Sequence, residues 1–321
     1  MSVQVSGRSA GQSKLTDNDL GRYILHYLMS SRGICEENVL LIALMRLCDE
    51  PVEEAGEMDI EGWQKRLSDV IKRINLKLNG LDYKVVQISH GMGKNIVASK
   101  SKEAMQFCSR AITSPGATAL SATNRFYVYI DVGAVEETKL ATRFSQKEVD
   151  FIKHAIQKTC ESGFNIRQGE VSATSAVVQE VDRVRRLVLE RAGAAFEPWD
   201  RYTTFAVGSS LLTQHRALNA LEIEDMIIRL CEYKWFCRNE KGEISLDLRC
   251  IAELEDDLLS TYEFPACQNC NRLAIYGVMC LHTDDAPAMW HVDCYQYQIA
   301  HKDTHCTACG ESLITNGVYV I

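Results

Sequence analysis

No apolar run in the 321 residues approaches the ~18–20 residues needed to cross a bilayer, which excludes a helical membrane span. The opening stretch, MSVQVSGRSAGQSK (residues 1–14), holds no apolar block either. It is expected to be a flexible start rather than a signal peptide, which places the protein in a reducing compartment. Positive charge is in deficit: 35 Lys and Arg stand against 43 Asp and Glu, a formal net charge of −8. Binding to nucleic acid draws its strength from cations that neutralise phosphates. The balance therefore speaks against a chain that coats DNA by itself, and it favours protein partners, with weak local DNA contact left open. Cysteine is also sparse at first, with seven in residues 1–266. What is present is globular in composition, 46% hydrophobic and 24% charged, and long enough for two or three domains that each bury a core.

Residues 15–135 read as three helices and two strands. In TDNDLGRYILHYLMSSRG, Thr16 and Asp19 stand at capping-box spacing, and Leu20, Tyr23, Ile24, Tyr27 and Leu28 share a helical face before Gly33. Residues 36–48 carry Leu40, Leu41, Leu44 and Leu47 on one side. A third helix bears the stripe Ile60, Trp63, Leu67, Val70, Ile71, Ile74 and Leu78, closed by Asn79-Gly80. YKVVQIS and RFYVYIDVG have strand composition. Helices followed by a hairpin are the order of a winged helix.

The order repeats over 145–262. Ser145 and Glu148 form another capping box, with Val149, Ile152 and Ile156 facing inward. VSATSAVVQEV is a candidate short helix, residues 221–236 a third, and WFCRNEKGEISLDL a hairpin wing around Lys241-Gly242. CIAELEDDLLSTY closes the module, while about 183–210 is an insertion of unassigned conformation. The expected fold is α+β: tandem winged-helix domains, then a small zinc domain at 263–315. In the helix at 221–236, Glu222, Glu224, Asp225 and Glu232 outnumber Arg229 and Lys234, an unfavourable balance for a major groove. Lys65, Arg66, Lys72, Arg73 and Lys77 of the earlier helix suit phosphate better, although a solvated polar face opposite a packed stripe is the expected explanation for them.

From Phe264-Pro265 the grammar changes, with six cysteines among the last 55 residues. The candidates are Cys267-x2-Cys270, Cys280-x-His282, His291-x2-Cys294 and Cys306-x2-Cys309. In a reducing compartment, such pairs are metal ligands before they are disulfides. Eight Cys and His donors make two closed tetrahedral zinc sites, structural rather than catalytic. Their order is that of a RING. If the RING cross-brace holds, Cys267, Cys270, His291 and Cys294 take one zinc, and Cys280, His282, Cys306 and Cys309 the other. Asp284 or another histidine is the alternative to His282. His301 and His305 are expected at the surface, and His26, His90, His154 and His215 are given no role.

Residues 15–315 resemble a known family, the RING-bearing non-SMC element one subunit of the Smc five–six chromosome-maintenance complex. The resemblance is sharpest in YKWFCRNEKGEISLDLRCIAELEDDLLSTYEFPACQNCNRLAIYGVMC, and ATRFSQKEVDFIKHAIQ also resembles the family's second module. Cys280-Leu281-His282 stands where members commonly have Cys-x2-Cys, and the insertion at about 183–210 is a further departure. The resemblance implies a nuclear, chromatin-associated ubiquitin ligase acting in DNA repair and recombination. It implies as partners a MAGE-type non-SMC element three subunit, the kleisin non-SMC element four subunit and a ubiquitin-conjugating enzyme. Such a ligase contributes positioning, without covalent chemistry of its own.

The usual apolar contacts for a conjugating enzyme fall on Asn269, Gln298 and Thr307, all polar; Tyr295, Tyr297 and Ile299 are nearby replacements. Two functions follow. One is a ligase that depends on its MAGE-type partner. The other is a zinc-stabilised interaction subunit without transfer. A histone reader with Trp290 and Tyr295 in an aromatic cage is a third, weaker reading.

Overall fold

In a computed structural model, the described residues are 15–48, 60–94, 123–132, 144–168, 175–215, 218–239, 241–280 and 287–321. The expected flexible start, residues 1–14, lies outside them. Thr16 and Asp19 form the anticipated capping box on α1 (Asp17–Ser30), which buries Leu20, Ile24 and Leu28. Tyr23 and Tyr27, placed on the same face by spacing, stay 52% and 38% exposed, because the packed stripe is narrower than the apolar one. Gly33 turns the chain with φ 81° into a short strand, β1 (Ile34–Glu36). Helices α2 (Glu37–Leu47) and α3 (Ile60–Leu78) follow, the latter inserting Trp63, Leu67, Val70, Ile71, Ile74 and Leu78. Strands β2 (Tyr83–Ser89) and β3 (Arg125–Asp131) then pair antiparallel, and β1 adds to β3, in the order β1-β3-β2. Val85 and Tyr127 close the core beneath the three helices.

The second half opens with α4 (Gln146–Ser162), capped by Ser145 and Glu148, and the short strand β4 (Phe164–Gln168). Helix α5 (Ala176–Arg191) is longer than the short helix expected around 171–181. The insertion then runs out of α5 into β5 (Arg201–Val207), six of whose seven residues are buried. A strand buried on both faces shows no alternation, so periodicity does not mark it. After it come α6 (Ser209–Leu212), α7 (Ala220–Glu232), the hairpin β6 (Phe236–Arg238) with β7 (Ile244–Leu246), and α8 (Leu248–Ser260).

The cysteine-rich end adds β8 (Gly277–Cys280), β9 (Ala288–Trp290), α9 (Val292–His301) and β10 (Val318–Val320). Strand β10 runs antiparallel to β8 and parallel to β5, with Tyr319 opposite Tyr202. One sheet therefore continues from the β6-β7 hairpin to the cysteine-rich segment, in the order β6-β7-β5-β10-β8-β9, with β4 on β5. Residues 318–320, beyond the expected 263–315 segment, are the joint. A single apolar cluster spans both regions, from Phe144 to Val320, and takes in Ile88 and Val128 of the N-terminal sheet.

Two buried arginines clamp the assembly. Arg185 of α5, almost fully enclosed, donates to Asp182 (2.9 Å), the Ile314 carbonyl (2.8 Å), the Glu197 carbonyl (2.7 Å) and the Tyr319 hydroxyl (3.1 Å). Its guanidinium also lies 4.0 Å from the Trp199 ring centre. Arg249 of α8 pairs with Glu253 at 2.9 Å and donates to the Arg32 carbonyl at 2.6 Å, fastening the N-terminal half to the rest.

Candidate metal centres

Both Cys-x2-Cys turns are built alike. In the first, Cys267 donates its N–H to the Arg272 carbonyl (2.8 Å), Asn271 donates to the Cys267 carbonyl (2.9 Å), and Asn271 has φ 56°. In the second, Cys306 donates to the Glu311 carbonyl (2.7 Å), Gly310 donates to the Cys306 carbonyl (2.9 Å), and Gly310 has φ 76°. The left-handed residue after the second cysteine folds the turn back, so both thiols point the same way. Amides of Ala308 and Glu311 reach the sulfurs of Cys306 and Cys309, each at 3.4 Å, which favours thiolate.

His291 caps α9 and Cys294 sits in its first turn. That spacing puts both on one face, with the thiol at the positive end of the helix. The ligand atoms of Cys267, Cys270, His291 and Cys294 all lie within 4.8 Å of one another, and those of Cys280, Cys306 and Cys309 do likewise. The interleaving is the one the cross-brace requires. His282, and the alternative Asp284, fall outside the described residues, so only three donors of the second set are placed.

The dimensions fit metal. A tetrahedral thiolate site with metal–sulfur bonds of ~2.3 Å has edges of ~3.8 Å. The structure has 3.6 Å between the sulfurs of Cys280 and Cys309 and 3.4 Å between Cys270 Sγ and His291 Nδ1. His291 Nε2 meets the Leu273 carbonyl at 2.9 Å, which makes Nε2 the protonated nitrogen and turns Nδ1 toward the thiols. Contact with the Cys270 and Cys294 thiols lowers the pKa of Cys267, while Cys267 and Cys270 raise that of Cys294. His291 is pushed up to about 10: burial opposes protonation, and hydrogen bonds with Cys267 and Cys270 override it. Burial, reinforced by Cys309 and Cys306, raises Cys280. Donors this crowded compete for one charge, and a bound cation lets all of them carry it.

The remaining expected positions divide. Asn269 lies partly exposed in the first turn and accepts from Lys302 Nζ at 2.7 Å, and Thr307 is exposed in the second. Gln298 does not reach the surface: it is 3% exposed, and its amide donates inward to the Asp303 carbonyl. Tyr295 and Trp290 are fully buried, so they form no aromatic cage; Tyr297 is 48% exposed. His301 lies tilted against the Tyr297 ring, with centroids 5.0 Å apart, and His305 pairs with Asp303 at 2.8 Å, both outside the ligand sets.

On α3, Lys72 is paired with Asp69, Arg73 with Asp17 and Lys77 with Asn18, while Arg66 covers Trp63. Those contacts favour the solvated-face explanation over phosphate binding. The first set also has a neighbour that local pattern gave no sign of. Gly91 and Gly93, in the turn after β2, press against it; a Cβ on Gly91 would lie 2.7 Å from His291, and one on Gly93 2.9 Å from Asp293. Val292 donates to the Gly91 carbonyl at 3.1 Å, and Asn124 donates to Asp293 at 3.0 Å.

Among known proteins, the chain matches the sequence profile of the family described as "Nse1 non-SMC component of SMC5-6 complex" over residues 21–254. It is 42% identical over 327 aligned positions to "Non-structural maintenance of chromosomes element 1" of Saccharomyces cerevisiae, covering 96% of this chain and 97% of the relative. In fold, it resembles a chain of a solved "Nse1-Nse3-Nse4 complex" with TM-score 0.54 and 16% identity, over 94% of this chain and 98% of that one.

Proposed function

The chain belongs to the Nse1 family of non-SMC components of the SMC5-6 complex, and on that premise we propose that it is a RING-type ubiquitin ligase subunit of that complex. In this reading, it binds Nse3 as its MAGE-type partner and Nse4 as the kleisin. It works on chromatin in the nucleus, in DNA repair and recombination. The observation that carries the reading is the interleaving along the chain of two donor sets, Cys267, Cys270, His291 and Cys294 with Cys280, Cys306 and Cys309. Donors of this type at tetrahedral spacing favour zinc, two ions per chain, with His282 as the eighth ligand. Zinc supplies a fixed cross-link there, and no covalent step passes through it.

Two winged helices are supported by the order α1-β1-α2-α3-β2-β3 with sheet β1-β3-β2, and by α7 followed by the β6-β7 hairpin in the second half. The chain's own contribution to transfer is positioning. The two turns present Asn269 and Thr307 as contacts for a ubiquitin-charged conjugating enzyme, and Gln298, being buried, is left out of that surface. A second reading, an interaction subunit without transfer, is favoured by the polarity of those two residues.

Single-turnover discharge of ubiquitin from a conjugating enzyme, with Nse3 present, separates the readings. Asn269→Ile with Thr307→Pro restores apolar contact, and discharge is expected to rise about tenfold, as for one or two recovered anchors. No discharge from parent or variant, with two zinc ions still bound, leaves only the interaction subunit.

A further inference from the structure

A cavity of about 310 Å³ lies between the N-terminal sheet, the start of α8 and the first ligand set. Gln87 and Ser89 of β2 line one wall, and Leu248, Ile251, Leu273 and Tyr276 line the other. Among the described residues, strand β2 is one of the two outer strands of its sheet. The ladder shows which of its backbone groups point out. Tyr129 of β3 donates its N–H away from β2, to the Gly33 carbonyl at 2.8 Å. Val132 donates to the Asp82 carbonyl and His90 to the Asn124 carbonyl, each at 2.7 Å. The even-numbered residues of β2 therefore bond to β3, and Val85, Gln87 and Ser89 turn their N–H and C=O groups to the open side.

At Val85 a side chain fills that edge. Val85 donates to Asn75 Oδ1 at 2.8 Å, and Asn75 Nδ2 donates to the Val85 carbonyl at 2.9 Å, so one amide stands in for a peptide unit of a further strand. At Gln87 and Ser89, no partner among the described residues continues the imitation. Both residues line the cavity.

The charges around the cavity are unequal in availability. Glu255 is held by Arg272 at 2.6 Å, and Asp293 accepts from Asn124 at 3.0 Å and from the Lys94 amide at 3.4 Å. Lys94 is exposed, and Arg125, half-exposed, reaches only to 3.6 Å from the buried Glu37. Of the two cations at the β2 side, Arg125 is shared with Glu37, and the Lys94 ammonium has no ion-pair partner among the described residues.

We propose that this edge takes an extended segment of a partner protein, which adds a strand at Gln87–Ser89, buries an apolar side chain against Leu248, Ile251 and Leu273, and places a carboxylate at Lys94 and Arg125. The site does not depend on ubiquitin transfer, so its fate and that of the ligase reading are independent.

The probe is a set of fluorescent hexapeptides of alternating valine and threonine, ending in aspartate or in lysine, added to the full chain. The aspartate peptide binds at least about tenfold more tightly than the lysine peptide, and slows amide exchange at Gln87 and Ser89. Ser89→Pro removes an outward N–H while sparing every bond to β3, and abolishes binding. Methylation of alternate peptide nitrogens does the same without altering the protein, and Lys94→Glu weakens the aspartate preference. Equal binding of the methylated peptide overturns the proposal. So does protection of the Gln87 and Ser89 amides in the free protein, which means that the edge is already covered, or no binding at millimolar peptide.

Discussion

His291 turns Nδ1 to the thiols and gives its other nitrogen to the Leu273 carbonyl. A ligand held from both sides in this way contributes affinity through its orientation as well as its lone pair. Replacing His291 by alanine is expected to release one of two metal ions, whereas His301→Ala and His305→Ala keep both. Metal content by mass spectrometry reads the difference, and loss of metal from either surface variant would reassign the site. Arg185 is the corresponding residue in the core. Arg185→Met leaves Asp182 without its buried counter-charge, and an unpaired ion of that kind costs about 3–5 kcal/mol. Urea unfolding tests this, and Arg185→Lys is expected to recover little, because lysine cannot reach four acceptors at once.

At the level of elements, the turn after β2 and the start of α9 hold each other. Gly91 admits the His291 ring where any side chain would collide, and Asp293 gathers Asn124 and the Lys94 amide. Gly91→Val is expected to lift the N-terminal half from the ligand set while leaving two ions bound. Proteolysis between β2 and β3 should accelerate and metal content should stay constant; loss of one ion with no change in cleavage would mean that the turn supports the site itself. The glycines stand close together in HGMGK, but what they admit is contributed by residues some 200 positions away in the sequence.

Across the whole molecule, the cysteine-rich segment is not a self-contained bead. Val318, Tyr319 and Val320 are at most 1% exposed, and they pair with β5 on one side and β8 on the other. Deleting residues 316–321 strips three buried side chains, each contributing roughly 1.5–3 kcal/mol. It should lower the melting temperature of the entire second half in one transition. Two separate transitions in the intact chain, with only one moved by the deletion, would show that the halves of that sheet fold apart. Removal of 263–321 is expected to be harsher still, since it bares the β5 edge and the apolar cluster behind it.

Helix stripes, both capping boxes and the cysteine turns were legible because each is settled by residues within a few positions of one another: Thr16 with Asp19, Ser145 with Glu148, Cys306 with Cys309. Those local rules also carried the family resemblance and the α+β class. Strand β5 was not legible, since burial on both faces erases its period, nor was β1, which is three residues long. Gln298 reads as a surface position only by its distance from Cys294, and the turn of α9 that buries it depends on what packs there. The pairing of β10 with β5, the seating of Gly91 on His291 and the place of β2 beside β3 were decided by tertiary structure alone, because each joins segments that no local spacing relates.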